Sequence, residues 1–270
     1  MILVNGAVAD SVAATDRGLA YGDGVFRTLP VKEGRPQCWE IHYRKLEHDC
    51  AALGIACPPA QVLARELEQL ARESADFAAK IIITRGSGIR GYAPPQAASP
   101  TRILMSTLLP EYPAEFRRSG IEVHLCTTRL SFQPRLAGVK HLNRLENVIA
   151  RAEWSDSAVP EGLLLDAEDH IIGGTMSNLF LVENGELVTP ELSRCGVAGV
   201  TRERIMKAAA KQGTACRVES ITQARLIDAP EAMLVNSVIG VWQIAACAGK
   251  IWAAGPVTAR VRKWLDDEVG

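Results

Sequence analysis

Two prolines within a few residues of each other, Pro110 and Pro113, divide this chain of 270 residues. Proline removes a backbone donor and fixes φ, so neither a helix nor a central strand can continue through this segment. A chain of this length can form one large or two smaller domains. The sequence therefore predicts a smaller N-terminal domain over 1–110, a linker over 111–120 and a larger C-terminal domain over 121–270.

Strand and helix patterns alternate on both sides of this break. Short apolar or β-branched runs predict strands, and apolar residues at helical spacing predict helices. In the N-terminal part the predicted strands are 1–4, 24–31, 79–84 and 102–107, and the predicted helices are 42–53 and 60–72. In the C-terminal part the predicted strands are 121–126, 162–166, 179–183 and 233–235, and the predicted helix is 201–210. This pattern predicts an α+β fold.

The composition excludes several classes of protein. The formal net charge is −1 and no run of like charges is long, so we expect neither a nucleic-acid surface nor a charged membrane patch. No apolar run approaches the length that crosses a bilayer, and the N-terminus lacks the pattern of a secretory leader. The seven cysteines are scattered without a C-x-x-C pair, which indicates reduced thiols in the cytoplasm and no metal site. We expect a small-molecule substrate.

One lysine is distinguished by its position. Lys140 follows a small apolar run and precedes Leu142, Leu145 and Val148, which are at helical spacing and predict a loop-to-helix junction. A lysine at such a junction can be held in a dry pocket. Desolvation there lowers the pKa of an ammonium group and leaves a free, nucleophilic amine. The alternative is a solvated lysine at the start of a helix.

A second candidate is the glycine-rich segment 196–199, which precedes the predicted helix with Thr201 as its predicted N-cap. Glycines allow close approach of a ligand, and the free N–H groups of a helix start suit a phosphate. Arg44, near the start of the helix 42–53, can pair with a phosphate through its planar guanidinium. The alternatives are an ordinary capped helix and a solvated arginine. Hydrolase and metalloprotease motifs are absent from the sequence.

Several motifs occur together in an order typical of one family. They are DRGLAYGDGVF at 16–26, HYRKL at 42–46, RGSGIRGY at 85–92, LAGVKHLNRLENV at 136–148, SNLF at 177–180 and GVAGVTR at 196–202. Through them the chain resembles, nearly end to end, the fold-type IV pyridoxal-phosphate (PLP) enzymes, which include D-amino-acid and branched-chain aminotransferases. The motifs at 85–92 and 136–148 look closer to the 4-amino-4-deoxychorismate lyase branch. The resemblance implies a two-domain α+β architecture of the D-amino-acid aminotransferase type and a homodimer, with PLP between the two domains of each subunit.

The resemblance also implies roles for individual residues. Lys140 matches the lysine that holds PLP covalently, and Val197 matches an apolar residue against one face of the cofactor ring. The residues that match phosphate-binding positions are Arg44, Val200, Thr201 and Ser237.

The implied reaction converts 4-amino-4-deoxychorismate to 4-aminobenzoate and pyruvate in folate biosynthesis, with Lys140 as nucleophile and general base. The substrate has two carboxylates, and the candidates to bind them are Thr28, Arg90 and Tyr92. Arg90 lies in a glycine-rich loop and is equally compatible with a solvated turn residue.

One position departs from the family pattern. Five residues before Asn178, where the family usually has a glutamate that pairs with the pyridine nitrogen, this chain has Gly173. Such a carboxylate strengthens the electron sink, so its absence argues against the nearest alternative, a D-amino-acid or branched-chain aminotransferase. A lyase step with an aromatic product tolerates a weaker sink. A remote alternative is a non-catalytic binding protein that keeps the fold.

Overall fold

The computed structural model describes residues 1–267 and contains two compact units. The first consists of Met1–Pro110 with the segment Val139–Asn143, and the second of Glu111–Gly138 with the chain from Arg144 onward. The division after Pro110 lies at the proline-containing segment. The boundaries predicted from the sequence place Lys140 in the C-terminal domain. In the structure the segment Val139–Asn143 belongs to the first unit, because the backbone of this segment forms hydrogen bonds with a strand of that unit. The predicted linker 111–120 belongs to the second unit.

The first unit is built on a six-stranded sheet. Its elements, in chain order, are β1 (Ile2–Val4), β2 (Ala7–Val8), α1 (Arg17–Tyr21), β3 (Gly24–Lys32), β4 (Arg35–Pro36), α2 (Trp39–Ala52), α3 (Ala60–Ala71), β5 (Phe77–Thr84) and β6 (Thr101–Thr107). The strand order is β2-β1-β6-β5-β3-β4, and every neighbouring pair is antiparallel. β3 and β5 therefore lie inside the sheet, which fits their β-branched and apolar composition.

The core of this unit lies between the sheet and the helices α2 and α3. Odd-numbered residues of β3 point to this core because alternate residues of a strand face opposite sides of a sheet. The fully or nearly fully buried members of the core include Val25, Leu29, Val31, Leu46, Cys50, Leu63, Leu67, Leu70, Ile81, Ile83 and Leu104. The even-numbered residues Phe26 and Thr28 consequently lie on the other face of the sheet.

The second unit is built on a nine-stranded sheet. Its elements are α4 (Ala114–Arg118), β7 (Ile121–Leu130), α5 (Leu145–Arg151), β8 (Glu161–Asp166), β9 (Ile171–Gly174), β10 (Asn178–Glu183), β11 (Glu186–Pro190), α6 (Val200–Lys211), β12 (Cys216–Glu219), α7 (Gln223–Asp228), β13 (Glu231–Asn236), β14 (Gly240–Cys247), β15 (Lys250–Ile251) and α8 (Pro256–Asp267). The order is β12-β11-β10-β13-β14-β7-β8-β9, with β15 on β14. The pairs β11–β12, β14–β7 and β7–β8 are parallel and the rest antiparallel.

Apolar side chains cover both faces of the central strands in the second unit. On one face Phe180, Val182 and Met233 pack against α6 and α8 through Ile205 and Val261. The other face carries a separate cluster, which includes Ile121, Leu163, Leu179, Leu234, Ile244 and Trp252. Because β10 and β13 are buried on both sides, they form a rigid support for the residues at their ends.

The predicted strands and helices are present, most with bounds shifted by a few residues, but several elements were missed. The sequence patterns did not predict β9, β11, β14 or α8. Within residues 1–267, none of the helices combines the length and the apolar character that crossing a bilayer requires.

Candidate active site

Lys140 lies in an irregular segment alongside the edge of β3. The backbone N–H of Phe26 donates to the carbonyl oxygen of Lys140 at 3.0 Å, and the N–H of Leu142 donates to the carbonyl oxygen of Gly24 at 2.9 Å. Helix α5 begins only at Leu145. The predicted loop-to-helix junction is therefore wrong in detail, since strand-like pairing with β3 fixes the lysine instead of a helix start.

The amine of Lys140 lies over an aromatic ring. Its Nζ is 4.5 Å from the centroid of Phe26, and the Nζ of Lys80 is 5.2 Å from the same centroid. Both Nζ atoms are within the distance range of a cation–π interaction. Thr28 lies two residues from Phe26 on the same face of β3 and pairs with Lys80 on β5.

The structure thus brings Thr28 to the side of the sheet where Lys140 presents its amine. Lys80 was missed by sequence reasoning. The sequence did indicate Lys80, since it is the one charged residue of the strand Phe77–Thr84.

Helix α2 meets the lysine segment through a carboxylate. The backbone N–H of Lys140 donates to Oδ2 of Asp49 at 3.1 Å. Lys45 precedes Asp49 by one turn and shares its face of the helix. Arg44, the predicted phosphate ligand, is rotated by about 100° from Lys45 and is exposed, whereas Lys45 is half-buried. The helix therefore offers a second cation that sequence reasoning did not name.

The start of α6 provides hydrogen-bond donors in the second unit. Gly199 is the N-cap, and the helix start carries no side-chain cap. A Cβ at Gly199 would lie 2.2 Å from Oδ1 of Asn178, the atom that accepts the Gly199 N–H at 3.1 Å, so only glycine fits. Thr201 is therefore inside the first turn and not at the predicted N-cap. Its hydroxyl oxygen is 3.5 Å from that of Ser237.

These groups together suit an anion. Thr201 is 2 % exposed and Val200 is 4 % exposed, so the hydroxyl and the first backbone amides of α6 are held in a protected place. The positive end of a helix dipole and two converging hydroxyls favour a phosphate. Val197 lies three residues before the helix, and its carbonyl oxygen accepts from Nδ2 of Asn178 at 2.8 Å.

The remaining candidates, Arg90 and Tyr92, lie on a glycine-rich loop of the first unit. Both side chains are exposed, Tyr92 by 85 %. The guanidinium of Arg17 donates to the carbonyl oxygens of Gly91 and Tyr92, each at 3.0 Å, and the ring of Tyr21 lies 5.4 Å from that of Tyr92. The base of the loop is therefore held, while the Arg90 side chain extends into solvent.

A charge cluster supports the same loop. Asp23 accepts from Arg17 and Arg85, and Arg85 also donates to the carbonyl oxygens of Leu53 and Gly54. Burial alone would raise the pKa of Asp23, but the hydrogen bonds from Arg85 and Arg17 outweigh it and lower the pKa. Asp23 therefore stays ionised between its two guanidinium partners.

Comparison with known proteins shows the family of the chain. The sequence matches the amino-transferase class IV family over residues 24–247, from the first residue of β3 to the last of β14. The chain belongs to the amino-transferase class IV family. Within it, the aminodeoxychorismate lyase of Vibrio harveyi is 34 % identical over 241 residues, which cover 89 % of each chain.

Solved structures of class IV proteins share the fold. The 4-amino-4-deoxychorismate lyase of Pseudomonas aeruginosa is 43 % identical with a TM-score of 0.96, covering 100 % of this chain and 99 % of that one. A hypothetical aminotransferase of Mycobacterium tuberculosis in its PLP-bound form has a TM-score of 0.84 at 19 % identity, covering 100 % of this chain and 98 % of that one. The second likeness shows the fold alone, and the fold-type IV architecture expected from the sequence is confirmed.

Gly173 and Gly174, at the end of β9, lie close to Ser177 in the turn that follows. A Cβ at Gly173 would lie 2.8 Å from the carbonyl oxygen of Ser177, and a Cβ at Gly174 would lie 2.1 Å from Oγ of Ser177. At Gly173 the close atom belongs to the backbone, and at Gly174 it belongs to the Ser177 side chain. A side chain at Gly173 therefore requires the backbone at Ser177 to move.

A buried carboxylate from the neighbouring strand supports this turn. Glu161, on β8, is 0 % exposed and accepts the N–H groups of Thr175 and Met176 at 3.0 and 3.1 Å. It also accepts the hydroxyls of Thr175 and Ser177 and the N–H of Gly162. Sequence reasoning missed Glu161, because a glutamate at the first position of a strand carries no signal of burial.

Proposed function

We propose that this chain is a PLP-dependent carbon–oxygen lyase that converts 4-amino-4-deoxychorismate to 4-aminobenzoate and pyruvate in folate biosynthesis. The observation that carries the proposal is the likeness to the Pseudomonas aeruginosa lyase, which extends over the whole chain. The amine of Lys140, held over the Phe26 ring, is consistent with this chemistry.

The residues present fit the cofactor. The uncapped start of α6 with the hydroxyls of Thr201 and Ser237 would bind its phosphate, together with the backbone amide of Val200. Lys140 would bind its aldehyde, and Val197 would lie against its ring. When bound, PLP supplies an electron sink for the carbon that loses a proton.

Lys140 has two tasks in this proposal. As a nucleophile it would hold the cofactor until the substrate amine displaces it. Its freed amine would then take the proton from the substrate carbon that bears nitrogen, and its renewed attack would release the product. The Phe26 ring restricts the amine to one side of the sheet. One positioned group can thus perform both steps without a second base.

The resemblance also implies a cation that pairs with the phosphate of the cofactor. Arg44 is the candidate from the resemblance, and Lys45 is the candidate from the helix geometry because it shares a face with Asp49. Comparing Arg44→Ala with Lys45→Ala separates them. The variant that weakens PLP binding more identifies the phosphate cation.

Substrate carboxylates require cations and hydroxyls on the side of the sheet where the amine lies. Thr28 and Lys80 meet this requirement, since both lie beside Phe26. Arg90 and Tyr92 would contribute through the held loop. We expect Thr28→Val and Lys80→Ala to raise KM more than they lower kcat, since each removes a binding contact.

The test is a visible spectrum of the protein with PLP, together with coupled detection of pyruvate after addition of 4-amino-4-deoxychorismate. We expect a band that Lys140→Ala abolishes and pyruvate release without an amino-group acceptor. Turnover only with an amino acid and a 2-oxo acid would assign an aminotransferase. Absence of a band would identify a binding protein that keeps the fold without its chemistry.

We also propose a cytoplasmic homodimer without nucleic-acid or membrane partners. On α5, the side chains of Leu145, Val148 and Ile149 are 74 %, 61 % and 57 % exposed and share one face of the helix. An apolar face of this kind is typical of a protein interface. Sedimentation velocity should show a dimer, and Leu145→Glu should shift it toward monomer. All seven cysteines are free thiols, as expected in a reducing compartment.

A further inference from the structure

A buried ion pair lies next to the reactive lysine. Arg27 on β3 is 2 % exposed and Asp49 on α2 is 1 % exposed. The guanidinium of Arg27 donates to Oδ2 of Asp49 and, at 3.2 Å, to the carbonyl oxygen of Lys45. Removing one partner of such a pair leaves an uncompensated buried charge, while replacing both with apolar residues is often neutral. The pair is therefore a weak contributor to stability by itself, and its position calls for another explanation.

The same carboxylate oxygen also holds the backbone of Lys140. Oδ2 of Asp49 accepts the Lys140 N–H at 3.1 Å, while the Lys140 carbonyl oxygen accepts from the N–H of Phe26 at 3.0 Å. Both peptide groups that flank the α-carbon of Lys140 are thus fixed. A buried backbone N–H requires a partner, and Asp49 supplies one from a different element of the fold.

Two consecutive residues of β3 act on Lys140 from opposite faces of the sheet. Phe26 and Arg27 point to opposite faces of the sheet because the side-chain period of a strand is two. On one face the Phe26 ring lies 4.5 Å from the Lys140 amine. On the other, Arg27 orients the carboxylate that binds the Lys140 backbone. One strand therefore controls both the direction of the side chain and the place from which it projects.

We propose that Asp49, oriented by Arg27, is a positioning residue for Lys140. The inference rests on the proposed function, in which Lys140 carries the reactive amine. Reaction rates depend steeply on placement, and a misplacement of about 1 Å can cost about a hundredfold. Without the Asp49 oxygen the Lys140 backbone N–H loses its hydrogen bond to α2, and the amine samples a wider range of positions.

The experiment compares two neutral double variants. Arg27→Met with Asp49→Asn keeps an acceptor oxygen for the Lys140 N–H, whereas Arg27→Met with Asp49→Leu removes it. Neither leaves a buried charge unpaired, so both should fold, and thermal melting followed by circular dichroism checks this. Glu66→Gln is the matched control, because Glu66 is a buried carboxylate of the same unit, paired with Arg102.

Four quantities are measured after each protein, prepared without the cofactor, is mixed with PLP. They are the rate at which the visible band appears on mixing, the pH dependence of that band, and kcat and KM. We expect the Leu double variant to take up PLP about tenfold or more slowly than the Asn double variant, with a shifted pH dependence and a lower kcat at similar KM. Glu66→Gln should behave as the wild type.

Two results would overturn the inference. If the two double variants show equal uptake rates and equal pH dependence, the acceptor oxygen has no role in placing Lys140. If uptake and kcat follow melting temperature across all variants, including Glu66→Gln, the role of Asp49 is structural only. Failure of the proposed function is distinguishable, because the wild type would then show no Lys140-dependent band.

Discussion

Two buried carboxylates, one in each unit, hold the segments that matter for the proposed chemistry, and they are held in different ways. Asp49 is ionically paired with Arg27 and accepts one backbone N–H from Lys140. Glu161 accepts from N–H groups and hydroxyls of the turn that follows β9, all of them neutral donors. A counter-ion and a set of oriented dipoles can both stabilise a buried charge. The two carboxylates therefore differ in whether a second substitution can restore the stability that is lost when the carboxylate is removed.

The largest expected effect is on the ion pair. Asp49→Ala removes the buried carboxylate that pairs with the Arg27 guanidinium and should lower the free energy of unfolding by about 3–5 kcal/mol, measured by urea denaturation. Combining it with Arg27→Met should restore most of that loss. Failure of the second change to restore stability would show that the pair is not an isolated unit.

Glu161→Ala should cost somewhat less, by about 2–4 kcal/mol, because it leaves several buried donors of the turn without an acceptor. No second substitution should restore the loss, since most of the partners are backbone groups. Urea denaturation of Glu161→Gln gives the control, because glutamine keeps one acceptor oxygen. Full recovery by a single partner substitution, such as Ser177→Ala, would contradict the contrast with Asp49.

A smaller loss of stability is expected from substitution of Gly173, which lies in β9 next to the turn that Glu161 holds. Gly173→Ala should lower the free energy of unfolding by about 1–3 kcal/mol, since its Cβ would lie 2.8 Å from the Ser177 carbonyl oxygen. Gly173→Glu should cost at least as much and should not strengthen PLP binding, because the turn must move to admit the side chain. Chemical denaturation and PLP titration check both variants. A stable Gly173→Glu protein with tighter PLP binding would show that the turn adapts.

A third carboxylate, that of Glu153, extends the comparison to the pH dependence of stability. Burial alone would raise the pKa of Glu153, but hydrogen bonds from Thr128 and Thr127, with a smaller one from His124, lower it from 4.5 to about 2. Its folded-state pKa is depressed, so its contribution to stability is complete above pH 4.5 and is lost as the pH falls toward 2. Unfolding free energies of the wild type and Glu153→Gln should therefore converge over this interval. A constant difference down to pH 2 would contradict the assignment.

The sequence predicted much of the framework because its signals are local. The β-branched run in β5 and the amphipathic pattern of α3 predict their elements correctly. The elements that were missed, such as β11 and β14, lack an alternating pattern since they are buried on both faces or interrupted by polar residues. The apolar residues of α5 are at the predicted helical spacing, but the side chains of Leu145, Val148 and Ile149 are exposed in the single chain.

By itself, the sequence determined most of the strands and the family, because hydrophobic periods and motifs are properties of neighbouring residues, and it predicted Lys140 as the reactive lysine. Only the tertiary structure decided how that lysine is held. Asp49 and Lys140 are separated by 91 positions in the chain, and their hydrogen bond exists only because α2 packs on the sheet next to β3. Strand register likewise places Lys80 beside Phe26, and it places Glu161 of β8 next to the end of β9. No local sequence pattern connects these residues, because register joins strands that are distant in the chain.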